Sequence, residues 1–216
     1  MARWEPNARE RLQAAALELF DERGYDRTTV SDIAARADLT ERTFFRYFTD
    51  KREVLFAGTE EFEKLIVAGV ANAPKTLSPL EVVVAALAAS SPFLETRRAT
   101  ARKRHALIAA HADLRERELI KSTRLAGTLV ASLRERGVAE ASATLLARTG
   151  MTLFQNAYER WIEDPKKRDL AHHLHESLAE LRALTAETER AKPRRKASTS
   201  DSSGGARSSE RRRRGS

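Results

Sequence analysis

One short stretch, Leu39–Lys51, concentrates aromatic and basic side chains and reads LTERTFFRYFTDK. Four of the chain's 13 aromatic residues lie within five consecutive positions of it, and arginines stand at positions 42 and 46. Rings and guanidinium groups at this density could stack on unpaired bases, read base edges in a duplex, or fill a small protein core. The helices that carry these side chains decide between the three uses.

Apolar residues recur at three- and four-residue intervals along nearly the whole chain, and glycine and proline are scarce. This pattern predicts an all-α fold of about nine helices. Helix starts are placed by capping signals, in which a small polar residue is followed three positions later by an acid. The predicted helices run from Asn7 to Arg23, Thr29 to Ala37, Thr40 to Phe48, Asp50 to Asn72, Ser78 to Pro92, Thr96 to Ala110, Asp113 to Gly137, Glu140 to Ile162 and Arg168 to Glu187.

The second and third helices are short and are separated by only two or three residues. Two such helices are typical of a helix-turn-helix, whose second helix lies in the DNA major groove. On a helical wheel, Phe44 and Phe48 share one face, and Arg42, Phe45 and Arg46 lie on the opposite side. Phe44 and Phe48 are therefore predicted to pack inward. A single-stranded stacking platform is disfavoured because it needs all its rings at the surface.

The outward side chains suit readout of double-stranded DNA. The Arg42 or Arg46 guanidinium can bond guanine O6 and N7, and Phe45 can contact a thymine methyl group. Thr43 and Tyr47 lie on the flank, where their hydroxyls can reach phosphates. The alternatives are two solvated arginines and a surface aromatic.

Helix ends complete the predicted DNA-binding set. Lys51 is expected in the first turn of the next helix, and Thr28 and Thr29 offer backbone amides at a helix start. Glu41 is either a first-turn partner of the helix dipole or a cytosine reader. The whole predicted set is Thr28, Thr29, Thr40, Glu41, Arg42, Thr43, Phe45, Arg46, Tyr47 and Lys51.

Residues 15–56, AALELFDERGYDRTTVSDIAARADLTERTFFRYFTDKREVLF, resemble the DNA-binding domain of TetR (tetracycline repressor) family transcriptional regulators. The specific signs include Leu19-Phe20, Gly24-Tyr25, Thr28-Thr29-Val30, Thr43-Phe44-Phe45 and Lys51. The chain departs from the family pattern at Asp38, where glycine is usual, and at Phe45, where tyrosine is frequent. Aspartate tolerates left-handed backbone, so the turn is expected to persist.

The resemblance implies a homodimeric repressor whose C-terminal helices bind an effector that changes the spacing of the two recognition helices. It also implies DNA contacts at Thr29, Glu41, Arg42, Thr43, Phe45, Arg46, Tyr47 and Lys51.

Three regions are predicted: a helix-turn-helix domain over 1–52, a helical effector-binding and dimerisation domain over 53–190, and a disordered basic tail over 191–216. The tail holds nine lysines and arginines and two acids, and this net +7 accounts for most of the chain's +8. The total charge is therefore no argument for a DNA-binding surface in residues 1–190. We expect the tail to raise non-specific affinity for DNA by releasing counterions.

Two stripes of apolar residues predict a four-helix bundle across a twofold axis. The residues expected at that dimer interface are Leu153, Ala157, Trp161, Leu174, Leu178 and Leu181. The alternative is that the stripes pack only within one chain. The predicted effector pocket is mostly apolar, with the alternative that its residues are plain core; it comprises Phe62, Ile66, Phe93, Arg102, Leu107, His111, Phe154 and Tyr158.

The segment RRATARKRH, residues 97–105, allows two interpretations. Its cations could hold the phosphates of an acyl-CoA-like effector, or they could form a solvated helix face paired with nearby acids. His172, His173 and His175 could suggest a metal, but no ligand set with tetrahedral spacing accompanies them, so surface histidines are favoured. No cofactor is predicted.

The remaining function classes are set aside on composition and motifs. The chain has no cysteine, and its longest apolar run, Val82–Ala89, is far shorter than a membrane helix of about 18 residues. No phosphate-binding loop or nucleophile–base motif indicates an enzyme.

We expect a cytoplasmic, nucleoid-associated bacterial regulator that binds operator DNA, a second copy of itself and a small effector. The alternative is an architectural DNA-binding protein that uses the basic tail without a ligand.

Overall fold

The computed structural model describes residues 7–190, and the side chains of residues 7–186, as helices joined by turns with no strand in that range. The predicted all-α class is confirmed. Residues 1–6 and the predicted tail 191–216 lie outside the described residues. The helices are α1 (Ala8–Arg23), α2 (Val30–Arg36), α3 (Glu41–Tyr47), α4 (Thr59–Asn72), α5 (Pro79–Ala89), the single turn α6 (Pro92–Glu95), α7 (Arg98–Ala110), α8 (Ala112–Glu135), α9 (Glu140–Glu163) and α10 (Leu170–Arg190). No helix in this range is both long and apolar enough to cross a membrane.

Two of the predicted capping boxes are present. The Asp32 carboxylate accepts the Thr29 amide at 2.9 Å, and the Asp32 amide donates to the Thr29 hydroxyl at 3.1 Å. A second capping box joins Ser78 to Glu81 at the start of α5. The Asn7 cap is wrong, because Asn7 has left-handed backbone and its side chain makes no capping bond, although α1 begins where predicted.

The long helix predicted from Asp50 to Asn72 is wrong. The Asp50 carboxylate accepts the Arg52 and Glu53 amides and begins only a 3₁₀ turn, Glu53–Phe56. This element, here called the 53–56 turn, buries the three consecutive apolar side chains of Val54, Leu55 and Phe56. The chain then breaks at Gly58, with φ of 88°, before α4 begins.

The first hydrophobic core joins α1, α2 and α3 to the 53–56 turn. Val54, Leu55 and Phe56 are buried in it, although the predicted boundary assigned them to the second domain. Ile108 of α7 and Leu114 of α8 complete the same core. The junction between α7 and α8 therefore packs directly on the three-helix unit.

The second hydrophobic core lies among α4, α5, α8, α9 and α10. The close contact of α4 with α5 depends on Gly69, where an added Cβ would lie 2.9 Å from Ala86 Cα. Trp161 is fully buried in this core, and its indole donates to the Glu95 carboxylate at 3.1 Å. Most of the apolar stripes of α9 and α10 are thus covered within one chain.

Candidate DNA-binding surface and effector cavity

The two faces of α3 separate as the helical wheel predicts. Phe44 and Phe48 are buried, with ring centroids 5.5 Å apart, whereas Phe45 is 55% exposed. Arg42 and Arg46 are exposed beside Phe45. The prediction that two inward aromatics fix α3 to the first core is confirmed.

The start of α3 is organised by two threonines. The Thr40 hydroxyl accepts the Thr43 amide at 3.1 Å and lies 3.0 Å from the Thr43 hydroxyl. Glu41 is exposed in the first turn, where its charge favours the positive end of the helix. Both hydroxyls lie at the helix end, where a DNA phosphate would meet backbone amides.

Arg46 is stacked on its neighbour Tyr47. Its guanidinium carbon lies 4.8 Å from the Tyr47 ring centroid, and Nη2 donates to the Tyr47 hydroxyl at 3.1 Å. A guanidinium has five N–H donors, so this contact leaves others for a base edge. The Tyr47 hydroxyl keeps its own proton for a phosphate.

A left-handed residue sets the angle between α2 and α3. Asp38 has φ of 53°, which confirms that aspartate supplies the turn conformation expected of glycine. Arg11 of α1 donates to the carbonyl oxygens of Ala37 at 2.5 Å and Asp38 at 3.3 Å. The turn is therefore held by α1 as well as by its own backbone.

Thr28 is wrong as a predicted DNA contact. Its side chain is buried, its hydroxyl donates to the Gly24 carbonyl at 2.9 Å, and its amide donates to Tyr25. Thr29 is exposed, but its hydroxyl donates to Asp32 at 2.6 Å and accepts the Asp32 amide. The contacts of Thr28 and Thr29 thus stabilise the start of α2.

Lys51 also has a different role from the predicted one. Its ammonium donates to the carbonyl oxygens of Tyr25 at 2.8 Å, Thr28 at 3.1 Å and Asp26 at 3.3 Å. It precedes the 53–56 turn and does not lie in the first turn of an α-helix. Since an ammonium has three donors, this geometry leaves none for a phosphate.

A cavity of about 410 Å³ lies between the first core and the helices α4, α7, α8 and α9. Four of the eight predicted pocket residues line it: Phe62, Phe93, Phe154 and Tyr158. Phe62 lies 5.5 Å from Phe154 and 6.1 Å from Phe93, measured between ring centroids. Burial raises the pKa of the Tyr158 hydroxyl.

The other four predicted pocket residues do not line this cavity. Ile66 is fully buried in the second core, and Arg102 donates to the Ile162 carbonyl at 2.9 Å. Leu107 packs on the first core. His111 stacks edge-on against Tyr25 at 4.8 Å and bonds the Leu107 carbonyl through Nδ1. The end of α7 faces the three-helix unit, which its sequence pattern does not indicate.

Neither interpretation of the basic segment 97–105 fits all of it. Arg98 donates to the carbonyl oxygens of Trp161 and Asp164, and with Arg102 it binds carbonyls at the end of α9. These are the carbonyls that a helix leaves unpaired at its C-terminus. Lys103 pairs with Asp21 of α1 at 2.7 Å. The cavity is lined by Arg97, Arg104 and His105 from this segment.

Five of the six residues predicted for the dimer interface pack within this chain instead, as in the alternative interpretation. Leu153, Ala157, Trp161, Leu174 and Leu178 are buried in the second core, and Leu181 packs partly buried against it. An apolar stripe shows that a helix has a buried face but not which element covers it. In this chain α9 and α10 pack on each other, α5 packs on both of them, and α8 packs on α9.

The described part of the chain holds no group of three or more His, Cys, Asp or Glu residues that could bind a metal ion. His173 is nonetheless buried, contrary to the prediction of a surface residue. Its Nε2 lies 3.1 Å from an Asp164 carboxylate oxygen. A hydrogen bond from Arg168 and two backbone amides hold the pKa of Asp164 well below its usual range.

Several lining residues carry no recognisable sequence signal. Gln13 of α1, the stretch from Leu55 to Thr59, and Lys121 of α8 all line the cavity. Gln13, Ala57 and Gly58 also line a neighbouring cavity of about 290 Å³ that reaches Tyr47 of α3. The break at Gly58 separates the 53–56 turn from α4, and a glycine within a helical pattern is a sequence signal for such a break.

Two models of known protein families match the sequence, each over a separate block. The model of bacterial regulatory proteins of the tetR family matches residues 12–57, and that of the MftR C-terminal domain matches residues 77–186. The second block alone spans half of the chain. The chain belongs to the TetR family. The predicted family and its DNA-binding regulator class are confirmed.

The relatives of this TetR-family chain are transcriptional regulators. TcmR of Streptomyces glaucescens is 36% identical over 81 residues, which are 38% of this chain and 36% of TcmR. The chain thus matches about a third of the length of that relative. Thermus thermophilus FadR, a TetR family repressor solved with lauroyl-CoA, is 27% identical with a TM-score of 0.50, over 80% of this chain and 92% of that one. A transcriptional regulator from Pseudomonas aeruginosa PAO1 shares the fold, at 19% identity and a TM-score of 0.61, over 88% and 96% of the two chains.

Proposed function

We propose that the chain is a homodimeric repressor, without enzymatic activity, that binds a pseudo-palindromic operator in double-stranded DNA. It leaves the operator when a hydrophobic effector enters the cavity. The observation that carries this proposal is the division of α3, which buries Phe44 and Phe48 and exposes Arg42, Phe45 and Arg46. A recognition helix needs one face fixed by a core so that the other reaches base edges in register. Binding to chromosomal DNA would place the protein in the cytoplasm, on the nucleoid.

In this proposal Arg42, Phe45 and Arg46 read bases, and hydroxyl-bearing residues contact the phosphates. Glu41 either favours the positive end of α3 or accepts from a cytosine amine. The hydroxyl-bearing residues are Thr29, Thr40, Thr43 and Tyr47. We extend the DNA-binding unit from residue 52 to about residue 57, because the 53–56 turn packs in the first core and the family match also ends there. The remaining helices form the effector and dimerisation unit.

The effector class follows from the cavity. Its volume of about 410 Å³ falls in the range of roughly 300–1,000 Å³ that small-molecule sites occupy. Four phenylalanines, Leu125 and Met151 line it, which favours an apolar ligand. The lauroyl-CoA bound by FadR makes an acyl-CoA the first candidate.

The proposed dimer uses the outward face of α9 and α10. Leu145 of α9 is 68% exposed, and Thr152 and Asn156 follow it on the same side of the helix. Arg160 of α9 pairs with Glu180 of α10 at 2.8 Å and joins the two helices on this surface. A twofold axis through this face would set two α3 helices on one side of the dimer.

Selection of genomic fragments by the purified full chain, followed by footprinting of the bound DNA, tests the proposal. A repressor of this kind protects two half-sites related by a twofold axis, and lauroyl-CoA weakens that protection. Uniform coating of any DNA would instead support an architectural protein that depends on the basic tail. Deleting residues 191–216 separates the two, since only the architectural protein loses all of its binding.

A further inference from the structure

We propose that the effector is an amphipathic anion, and that its charged group releases DNA by competing with Glu53 for Lys121. This inference rests on the proposed function, because it assigns the ligand class and the coupling contact of the same cavity. It requires that the cavity attract anions, that Lys121 both line it and hold the DNA-binding unit, and that binding of an anion to Lys121 weaken its bond to Glu53.

The charged residues that line the cavity favour an anion. Four are cations, Arg97, Arg104, Arg115 and Lys121, and two are acids, Glu118 and Glu159. The imidazole of His105 also lines the cavity. On α8 the charged lining residues Arg115, Glu118 and Lys121 stand with Leu119 and Ser122, and Leu125 follows one helical turn after Lys121. A ligand with an acidic group at one end and an apolar chain at the other fits this order.

Lys121 also holds the DNA-binding unit. Its ammonium lies 2.9 Å from Oε2 of Glu53, the first residue of the 53–56 turn, and Arg117 binds the other carboxylate oxygen. The side chains of Glu53 and Lys121 are only 16% and 22% exposed, so water screens their attraction weakly. Glu53, Arg117 and Lys121 are here called the Glu53 triad.

A second cavity cation reinforces the same turn. Arg104 Nε donates to the Leu55 carbonyl at 2.8 Å, Nη2 pairs with Glu118 at 3.0 Å, and the guanidinium lies 5.0 Å from the Phe56 ring centroid. Leu55 and Phe56 are buried beneath α1 in the first core. Cations facing the ligand thus hold the segment on which the α1–α3 unit rests.

Occupation by an anion and the Glu53 contact compete for one ammonium. A carboxylate or phosphate in the cavity offers Lys121 a second partner, and each new bond to it weakens the bond to Glu53. Loss of that bond loosens the 53–56 turn and, through the first core, the position of α3. The coupling is reciprocal, so bound operator must weaken binding of the anion by the same factor.

Arg117 provides the matched control, because it holds Glu53 but does not line the cavity. The variants are therefore Lys121→Met and Arg117→Met, each of which removes one cation from the Glu53 triad. The probes are dodecanoate, dodecanol and dodecylamine below their micelle concentrations, with lauroyl-CoA as a phosphate-bearing arm. Probe binding is measured by calorimetry, and operator affinity by fluorescence anisotropy on the full chain.

In the unaltered protein we expect dodecanoate or lauroyl-CoA to raise the operator Kd at least about tenfold, and dodecanol or dodecylamine to change it less than about threefold. Lys121→Met should reduce the effect of the anions to that of dodecanol, whereas Arg117→Met should retain it. Equal release by acid and alcohol, equal responses of the two variants, or no binding of either anion would overturn the inference. In each of those outcomes the protein still binds the operator. If no operator complex formed at all, the proposed function itself would be wrong.

Discussion

The ammonium of Lys51 lies 2.8 Å from the carbonyl oxygen of Tyr25 and 4.3 Å from the centroid of the Tyr25 ring. It therefore closes the loop between α1 and α2, since it also donates to the Asp26 and Thr28 carbonyl oxygens. The family motif contains this lysine beside the recognition helix, which made a phosphate contact the simpler expectation. The structure gives it a role in folding the DNA-binding unit.

Replacing Lys51 by methionine should lower the free energy of unfolding by about 2 kcal/mol, because hydrogen bonds from a charged donor are lost. Urea unfolding followed by circular dichroism measures the change. Lys64→Met, at an exposed position of α4, is the control for loss of charge. Unchanged stability, with a smaller salt dependence of DNA binding, would restore the phosphate role.

Replacing Gly69 by alanine should destabilise the protein, whereas replacing Gly127 by alanine should stabilise it. An added Cβ at Gly69 meets the Ala86 backbone at 2.9 Å, so α4 and α5 must separate, at a cost of about 1–3 kcal/mol. No atom lies within 4 Å of a Cβ added at Gly127 on α8, where alanine should stabilise the helix by about 0.5–1 kcal/mol. Thermal unfolding of both variants gives the two signs. Equal shifts would mean that α4 and α5 are not packed as described.

Glu81 should make stability depend on pH in acid. Hydrogen bonds from the Ser78 hydroxyl and from Arg182 lower the pKa of Glu81 from 4.5 to about 2. A carboxyl with a depressed pKa contributes stability that is complete above its unfolded value, here 4.5, and is lost as the pH falls towards 2. Glu81→Gln should thus lower the free energy of unfolding by a constant amount near neutral pH. This deficit should shrink below pH 4.5.

Urea unfolding at several pH values measures that deficit, with Glu116→Gln at an exposed position of α8 as the control. A deficit that stays the same at all pH values would show that the Ser78 and Arg182 contacts do not favour the ionised form.

The proposed dimer face should be sensitive to charge at Leu145. Leu145→Arg places a cation where α9 is proposed to meet its copy, so the molar mass from light scattering should fall towards that of one chain. Leu119 of α8 is equally exposed, at 68%, and lies outside the proposed face. Leu119→Arg should leave the mass unchanged, and the reverse result would move the interface to α8.

The parts of the structure that depend on neighbours in sequence were predictable. The Thr29–Asp32 and Ser78–Glu81 capping boxes require only residues three apart, and the burial of Phe44 and Phe48 follows from helical periodicity. The left-handed turn at Asp38 is likewise a local property. These features were sufficient to predict the helix-turn-helix and its outward face.

The parts that depend on contacts between distant residues were not predictable. The same apolar periodicity fits a dimer interface and a monomer core, so Trp161 and Leu174 were assigned to the wrong partner. A lysine side chain gives no sign of which acceptors it will meet, so neither Lys51 nor Lys121 was given its observed contacts. Half of the predicted cavity lining was wrong because Ile66 is buried in the second core, and Leu107 and His111 pack towards the first core.

The central claim is that α3 reads DNA sequence through Arg42 and Arg46. The ratio of Kd for random DNA to Kd for the selected operator, from fluorescence anisotropy at fixed salt, tests it most directly. Arg42→Ala and Arg46→Ala should each lower this ratio about tenfold, since a bidentate guanine contact supplies roughly 1–3 kcal/mol of discrimination. Lys64→Ala, at an exposed position of α4, should leave it unchanged. If both α3 variants kept the full ratio, the proposed readout of sequence through Arg42 and Arg46 would be wrong.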